Sequence, residues 1–444
     1  VWLCVTIAVV YAILSGFWGV VITDIVQFFI AMFGSIALAI IALNHVGGMD
    51  TLLQKLSSLL GTDIIHENTL KFIPPIPDNS IGSLSFWESP FSKFLIFITV
   101  MWWSHHGTDG GGYIIQRMSS AKNEKHALLA TLWFNLAHYA VRVWPWIIVG
   151  VVSIVMFPVI PDSYSELGTK AGYPLVMNLL LGPGMKGILI VSFLAAFMST
   201  IDTHLNWGAS YIINDIYKRF FKPNESEKHY VIVSKIITVV LMILAAFTAL
   251  KMQSISKAWA FIFSMGAGIG LVLILRWFWW RINAWSEITA LSTSIVITIL
   301  LETLAWWQVS AKEGVYSLFG TEPVLFGIQI QVHHKLIIIV PIAIVSWLIA
   351  TFITKPEPTE HLRKFYEKVQ PGGWWGPITT NFKHTLQPVS EGILVQWVAG
   401  VMMIYGFTFG IGNFIFMQYG NSILLLGCAF IGSYIIWNRS ISKL

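Results

Sequence analysis

The sequence has few charged residues and only two cysteines. Of its 444 residues, 11% are charged and 56% are hydrophobic, whereas soluble domains carry about 25% charged residues. Cys4 and Cys428 lie at opposite ends of the chain inside apolar segments, which is typical of small core residues and excludes a disulfide framework. The composition therefore excludes an ordinary soluble domain and predicts an all-α polytopic membrane protein.

The sequence also lacks the common catalytic motifs. It contains no G-x-S-x-G, no Walker loop, no H-E-x-x-H and no Cys-x-x-Cys. We therefore expect no enzyme, no catalytic residue and no bound cofactor, and any uphill transport must draw on an ion gradient. An intramembrane metalloenzyme centred on His105, His106 and Asp109 is a weaker alternative, because adjacent histidines point to different faces of a helix. The net charge of +5 is modest and calls for no nucleic-acid partner.

Apolar segments of about 20 residues, long enough to cross a lipid bilayer, recur along the chain. The first two are separated by a predicted turn near Ser15–Gly19. Most of the 27 lysines and arginines fall in alternate loops, which predicts a multi-pass protein of the plasma (inner) membrane with those loops in the cytoplasm. The eleven predicted spans are 1–16, 17–46, 92–115, 126–157, 184–213, 229–250, 257–280, 285–309, 336–354, 393–416 and 420–437.

One long apolar segment, Gly187–Tyr217, carries a cluster of polar side chains near its middle: Ser199, Thr200, Asp202 and Thr203. Ionisable groups at membrane depth are costly and usually face a cavity, an ion path or a partner. Positions 196, 199, 200 and 203 share one helical face, and hydroxyl and carboxylate oxygens suit a hard cation. The pattern predicts a cation site. The alternative is that the Ser199 and Thr200 hydroxyls bond to carbonyls one turn earlier.

A second polar interruption lies in the segment Val100–Arg117, where His105, His106, Thr108 and Asp109 precede three glycines at positions 110–112. A glycine run can unwind a membrane helix, and unwound helices place backbone groups at substrate sites. This favours a substrate-facing helix. The alternative is that the glycines mark the cytoplasmic end of the helix.

Four stretches of the sequence carry motifs that occur together, and in the same order, in a known family of membrane proteins. The first contains Tyr11, Gly16 and a Thr23-Asp24-x-x-Gln27 motif. The four stretches are Tyr11–Gly34, Gly112–Ala127, Ala195–Phe220 and Arg276–Ala290. Together they resemble the sodium/solute symporter family, which includes sodium–glucose and sodium–proline cotransporters.

The resemblance implies a leucine-transporter-type fold, in which two inverted five-helix repeats enclose a central site. It implies that 1–46 holds the last two helices of the first repeat, followed by an extracellular loop at 47–91. It further implies a complete second repeat at 92–284 and additional helices at 285–444, with a cytoplasmic loop at 355–392. The first three core helices have no counterpart, and we expect the N-terminus of a longer protein to be absent.

The resemblance also implies Na⁺ as the coupling ion, held by the Ala196 carbonyl and the Ser199 and Thr200 hydroxyls. In some relatives a second sodium site would correspond to Asp24, Asp202 and Thr203 here. Asp202 departs from the usual Ser. Two carboxylates there could tighten cation binding or favour one protonated carboxyl. Asp24 could instead be a carboxylate stabilised near a helix N-terminus.

By the same resemblance, the substrate would meet the sixth and tenth core helices. Close packing of the tenth is expected at Gly266, Gly268 and Gly270. The candidate substrate-binding residues are Trp103, His106, Asp109, Tyr113, Phe261 and Ser264.

The function that these expectations favour is sodium-coupled symport of a small organic solute by alternating access. The partners would then be the sodium ion, a small-molecule solute (a sugar, an amino acid or a carboxylate) and membrane lipid. Two alternatives stay open: a transporter-like sensor or regulatory membrane module without transport, and a proton-coupled carrier.

Overall fold

The computed structural model describes residues 2–61, 73–78, 81–252, 255–311, 322–380 and 392–443. The α-helices up to residue 180 are α1 Trp2–Val46, α2 Gly48–Leu59, α3 Leu84–Glu88, α4 Pro90–Ile96, α5 Trp102–Ser104, α6 Gly112–Ser119, α7 Glu124–Asn135, α8 Val143–Met156 and α9 Gly172–Leu180. The later ones are α10 Pro183–Tyr211, α11 Glu227–Lys251, α12 Ile255–Met265, α13 Gly270–Phe278, α14 Ala284–Ser310, α15 Val332–Ile353, α16 Thr359–Val369, α17 Gly376–Thr379, α18 Ile393–Ile415 and α19 Tyr419–Arg439.

Other regular structure is short. A hairpin of two antiparallel strands, β1 Val324–Leu325 and β2 Ile328–Gln329, precedes α15. Within the described ranges, three π-helical and two 3₁₀ segments extend or connect the α-helices. They are the π segments Phe97–Met101, Leu136–Val141 and Ile212–Phe221 and the 3₁₀ segments Asp162–Ala171 and Ile441–Lys443.

Eight helical segments in the described ranges are long and apolar enough to cross a membrane. A ninth is added if α12 and α13, which are bent by 44°, form one span. This confirms an all-α, multi-pass membrane protein. The eight segments are Val21–Val46, Glu124–Met156, Pro183–Phe221, Glu227–Leu250, Ala284–Ser310, Val332–Ile353, Ile393–Ile415 and Tyr419–Arg439.

The prediction of eleven spans was wrong at two places. The turn expected near Ser15–Gly19 is replaced by continuous helix within α1. No proline occurs there, and isolated glycines weaken a helix by about 1 kcal/mol each without ending it. The predicted span 92–115 is instead a series of short helices interrupted at residues 105–111.

The described chain divides into two compact units. Unit 1 comprises residues 1–70, 113–248 and 395–444. Its main contact is the long packing of α1 on α10, supported by α8. A Cβ on Gly34 would collide with Ser192 of α10, whose hydroxyl donates to the Ile30 carbonyl at 3.0 Å. Trp146 of α8 donates to the Ser35 hydroxyl at 2.7 Å, so three helices meet at one point of α1.

Unit 2 comprises residues 71–112 and 249–394. Its longest contact is between α14 and α15. A nearly buried ion pair joins them, with Lys335 Nζ 2.8 Å from Glu302 Oε1. At the other end of the pair, the Ser286 and Thr351 hydroxyls lie 2.7 Å apart and are fully buried. Polar contacts therefore hold both ends of the α14–α15 pair, and apolar packing holds the helices together between these ends.

Glycines let the bent helix pair α12 and α13 approach its neighbours in unit 2. A Cβ added at Gly268 would collide with Ala343 and the Ser294 hydroxyl. A Cβ at Gly270 would collide with the Trp103 carbonyl. The expectation of close packing at these glycines is confirmed.

The fit around Gly268 yields a stability prediction. Gly268→Ala should lower the free energy of unfolding by about 1–3 kcal/mol, because the added methyl overpacks the contact with Ala343 and Ser294. The measurement is unfolding of the purified protein in detergent. The control is Gly150→Ala in α8, where, apart from its chain neighbours and the backbone of its own helix turn, no atom of the described residues lies within 4 Å of the new Cβ. Equal stability of the two variants would contradict this packing.

Candidate functional site

The polar cluster of α10 meets α1 through one short hydrogen bond. The Ser199 hydroxyl donates to Asp24 Oδ1 at 2.5 Å, and both residues are half-buried. Ser199 thus does not bond back along its own helix to a carbonyl one turn earlier. Its oxygen keeps two lone pairs that can accept or ligate. The structure brings together two candidate residues that are 175 positions apart in the sequence.

The other two candidates for the first sodium site lie next to each other on α10. The Thr200 hydroxyl donates to the Ala196 carbonyl at 2.9 Å, and both residues are exposed on unit 1. Thr200 therefore makes the back-bond that membrane-helix threonines commonly make. These two oxygens and that of Ser199 come from one turn of α10, in the i, i+3, i+4 spacing expected of one helical face.

Arg117 of α6 completes the polar contact between α1 and α10. Its Nη2 atom lies 2.9 Å from Thr203 Oγ1 and 3.4 Å from Asp24 Oδ2. Asp24 and Thr203, both expected at a second cation site, thus meet around a guanidinium. Arg117 was not among the residues predicted at this site from the sequence. The available signal was charge, because carboxylates inside apolar helices call for a cationic partner.

Asp202 is the most buried of the candidate sodium ligands, with 1% of its surface exposed. Its Oδ1 atom accepts a hydrogen bond from Asn206 Nδ2 of the same helix at 2.7 Å. Residues on a helix turn by about 100° each, so Asp202 points to a different side of α10 from Thr203. The structure therefore places Asp202 in a contact along α10.

The substrate candidates of unit 2 surround a break in the helix. After α5 ends at Ser104, the chain turns through residues 105–111, and α6 begins at Gly112. Gly110 and Gly111 have φ angles of 99° and 75°, a region that glycine adopts without strain. The predicted unwinding at the glycine run is confirmed. The exposed ring of His106 lies against Gly266, where a Cβ would collide with it.

Asp109 is engaged in an ion network beside this break. Its Oδ2 atom lies 3.0 Å from Arg276 Nη2, and its Oδ1 atom accepts from the Gly111 amide at 3.1 Å. Arg276 Nη1 is also 3.1 Å from Glu287 Oε1, in the first turn of α14. The carboxylate expected to bind substrate thus ties the break to α13 and α14.

Two of the remaining substrate candidates, Trp103 and Ser264, use their side-chain donors in hydrogen bonds within the protein. Trp103 Nε1 donates to the Thr99 carbonyl at 2.6 Å. Ser264 is fully buried and its hydroxyl donates to the Ala260 carbonyl at 2.8 Å, while Phe261 is half-buried. The Tyr113 side chain lies outside the described part of the structure.

For the metalloenzyme alternative, the His105 and His106 rings are 5.9 Å apart between centroids. Within the described ranges, no three His, Cys, Asp or Glu side chains converge as a metal-binding group.

Comparison with known proteins relates this arrangement to transporters. Residues 1–313 match the model of the Sodium:solute symporter family. The chain is 24% identical to the osmoregulated proline transporter OpuE of Bacillus subtilis (strain 168), over 71% of this chain and 59% of that protein. It is 24% identical to sodium/glucose cotransporter 4 of Danio rerio, over 83% and 56% of the two chains. It is 25% identical to sodium/glucose cotransporter 1 of Mus musculus, over 82% and 57%. The chain spans little more than half the length of these relatives.

The ion network at the helix break yields a second prediction. Asp109→Asn and Arg276→Gln should each lower the stability of the purified protein, and the double variant should lose less than the sum. The coupling energy should be on the order of 1 kcal/mol, because Arg276 is partly exposed. A double-mutant cycle of unfolding free energies measures it. The exposed pair of Glu360 and Lys364, in which Nζ and Oε1 are 2.8 Å apart, is the control and should show weaker coupling. Strict additivity at Asp109 and Arg276 would contradict the network.

Proposed function

Because the chain belongs to the sodium:solute symporter family, we propose that it couples Na⁺ entry to the uptake of a small organic solute by alternating access. It is a multi-pass protein of the plasma membrane, and Na⁺ moving down its gradient supplies the free energy. The proposed solute is a sugar, an amino acid or a carboxylate. The names of the relatives include proline and glucose transporters, and fold alone does not decide among solutes.

The observation that carries this proposal is the oxygen set on one turn of α10. Ala196, Ser199 and Thr200 offer a carbonyl and two hydroxyls, which are hard neutral ligands suited to Na⁺. Because Ser199 donates its proton to Asp24, its lone pairs are free to face an ion. Asp24 accepts the hydrogen bond from Ser199 and adds a negative charge next to this oxygen set, which favours a cation over an anion at this position.

We assign Asp24 and Thr203 to a second cation or proton position next to the first, and leave Asp202 out of it because Asp202 points to a different side of α10. Ser199 is the link between the two positions, because its hydroxyl donates to Asp24 and its oxygen belongs to the first set. An ion at the first position would polarise this hydroxyl and strengthen its hydrogen bond to the carboxylate.

The solute is assigned to the helix break at residues 105–111, with Trp103, His106, Tyr113, Phe261 and Ser264 as its contacts. Unwound backbone offers amide and carbonyl groups that a regular helix would occupy. Asp109 would contact the solute only when its ion pair with Arg276 opens. Na⁺ drives uptake in this scheme only if it binds the solute-accepting conformation more tightly than the other, because a ligand shifts only those equilibria in which it binds differentially.

Removal of one ion ligand gives a direct test of this assignment. Thr200→Ala should raise the Na⁺ concentration for half-maximal stabilisation about 10-fold or more, because one polar contact to a charged ligand is worth about 1.5–3 kcal/mol. The measurement is the thermal stability of the full-length protein titrated with NaCl against choline chloride at constant ionic strength.

The matched control is Thr248→Ala in α11. Thr248 is also exposed and donates to a carbonyl one turn earlier, that of Leu244, at 2.9 Å. Its loss should leave the Na⁺ titration unchanged. Equal Na⁺ curves for Thr200→Ala and wild type would refute the sodium assignment. Stabilisation that follows pH and not Na⁺ would identify a proton-coupled carrier instead, and Na⁺ binding without solute uptake would identify a sensor.

A further inference from the structure

We propose that Arg117 is a built-in competitor for the second cation: its guanidinium occupies the position beside Asp24 and Thr203 and must leave before a cation can bind there. This inference rests on the proposed sodium coupling and specifies how the second position is controlled. The relevant surroundings are all in unit 1, on α1, α6 and α10.

The contacts of the guanidinium are those a bound cation would need. One nitrogen, Nη2, lies 2.9 Å from Thr203 Oγ1 and 3.4 Å from Asp24 Oδ2. Arginine keeps its positive charge at every physiological pH, so it neutralises Asp24 as a metal cation would. Two cations cannot share this position, because like charges at contact distance repel strongly. Binding of Na⁺ and retention of Arg117 therefore exclude each other.

The ion pair is loose enough to exchange. Charge-assisted N–H to carboxylate hydrogen bonds are usually about 2.7–2.9 Å long, whereas Arg117 and Asp24 are 3.4 Å apart. About a third of the Arg117 side chain and a quarter of the Asp24 side chain are exposed, at 33% and 26%. At this separation the guanidinium gains less from Asp24 than a short, well-aligned pair would. A cation with stronger ligands can displace it.

Gln27 supplies the ligand that Arg117 leaves unused. Among the described residues, its Oε1 atom is buried and has no hydrogen-bond partner. Gln27 follows Asp24 by three positions and so lies on the same side of α1. A buried amide oxygen without a partner is destabilising, and a hard cation would satisfy it. Asp24, Gln27 and Thr203 together offer a carboxylate, an amide and a hydroxyl oxygen, a set suited to Na⁺.

Replacement of the Arg117 guanidinium by a cation would also remove a polar contact between α6 and its neighbours α1 and α10. Arg117 lies in the last turns of α6, while its partners belong to α1 and α10. When a cation replaces the guanidinium, α6 loses a polar tie to both helices and α1 and α10 keep theirs through Ser199 and Asp24. Cation binding at the second position is thereby linked to the freedom of α6.

The test removes Arg117 in a variant whose first sodium position has been weakened. In the full-length protein carrying Thr200→Ala, the further change Arg117→Gln should lower the Na⁺ concentration for half-maximal stabilisation about tenfold, since a contact to a charged group is removed from the competition. Adding Asp24→Asn should abolish that gain. Arg219→Gln, which removes an exposed arginine stacked on Phe220, is the control for charge and should not change the titration.

The possible outcomes separate this inference from the proposed function. If Na⁺ stabilises wild type, but Arg117→Gln gives no tighter response in the Thr200→Ala background, the inference is overturned and the proposed function stands. If wild type shows no Na⁺ response but Arg117→Gln acquires one that Asp24→Asn abolishes, the inference stands and the first sodium position is wrong. If Arg117→Gln does not fold, Arg117→Lys should give a smaller shift in the same direction. A weakened response there would overturn the inference.

Discussion

The hydrogen bond from Ser199 to Asp24 joins the two helices around which unit 1 is organised. It crosses the longest helix contact of that unit, between α1 and α10, which small residues bring close at Gly34 and Ser192. A carboxylate in an apolar helix is stable only when hydroxyls, amides or cations surround it. Asp24 has a hydroxyl on one oxygen and a guanidinium near the other. The hydrogen bond from Ser199 stabilises the Asp24 carboxylate and also places it beside the proposed sodium ligands.

Each of the two units contains an ion pair between an aspartate and an arginine at the residues predicted to bind an ion or a solute. In unit 1, Asp24 meets Arg117, and in unit 2, Asp109 meets Arg276. In each case an arginine from another helix engages a carboxylate that the sequence assigns to ion or solute binding. The proposed transport cycle requires such groups to be available in one conformation and neutralised in another. Arginine contacts that can be exchanged would meet this requirement without leaving an unpaired charge.

Local patterns were the part of this structure that the sequence could predict. The spacing of the oxygens at positions 196, 199 and 200 follows from helical periodicity, and the break near Gly110 follows from consecutive glycines. The close packing at Gly268 follows from the glycines of a predicted membrane span, although Gly268 itself lies in the turn between α12 and α13. The position of Arg117 could not be predicted, because its partners lie 86 and 93 residues away in the sequence. The predicted turn near Ser15–Gly19 failed because isolated glycines do not outweigh an uninterrupted apolar helix.

The central claim is that Na⁺ binds where α10 meets α1. The most direct test is an experimental structure of the full-length protein in saturating Na⁺, compared with one in choline alone. If Na⁺ binds there, ion density should contact the Ala196 carbonyl and the Ser199 and Thr200 hydroxyls, and it should be present only in the Na⁺ structure. Ion density elsewhere, or identical structures with water-like density at these oxygens in both salts, would contradict it.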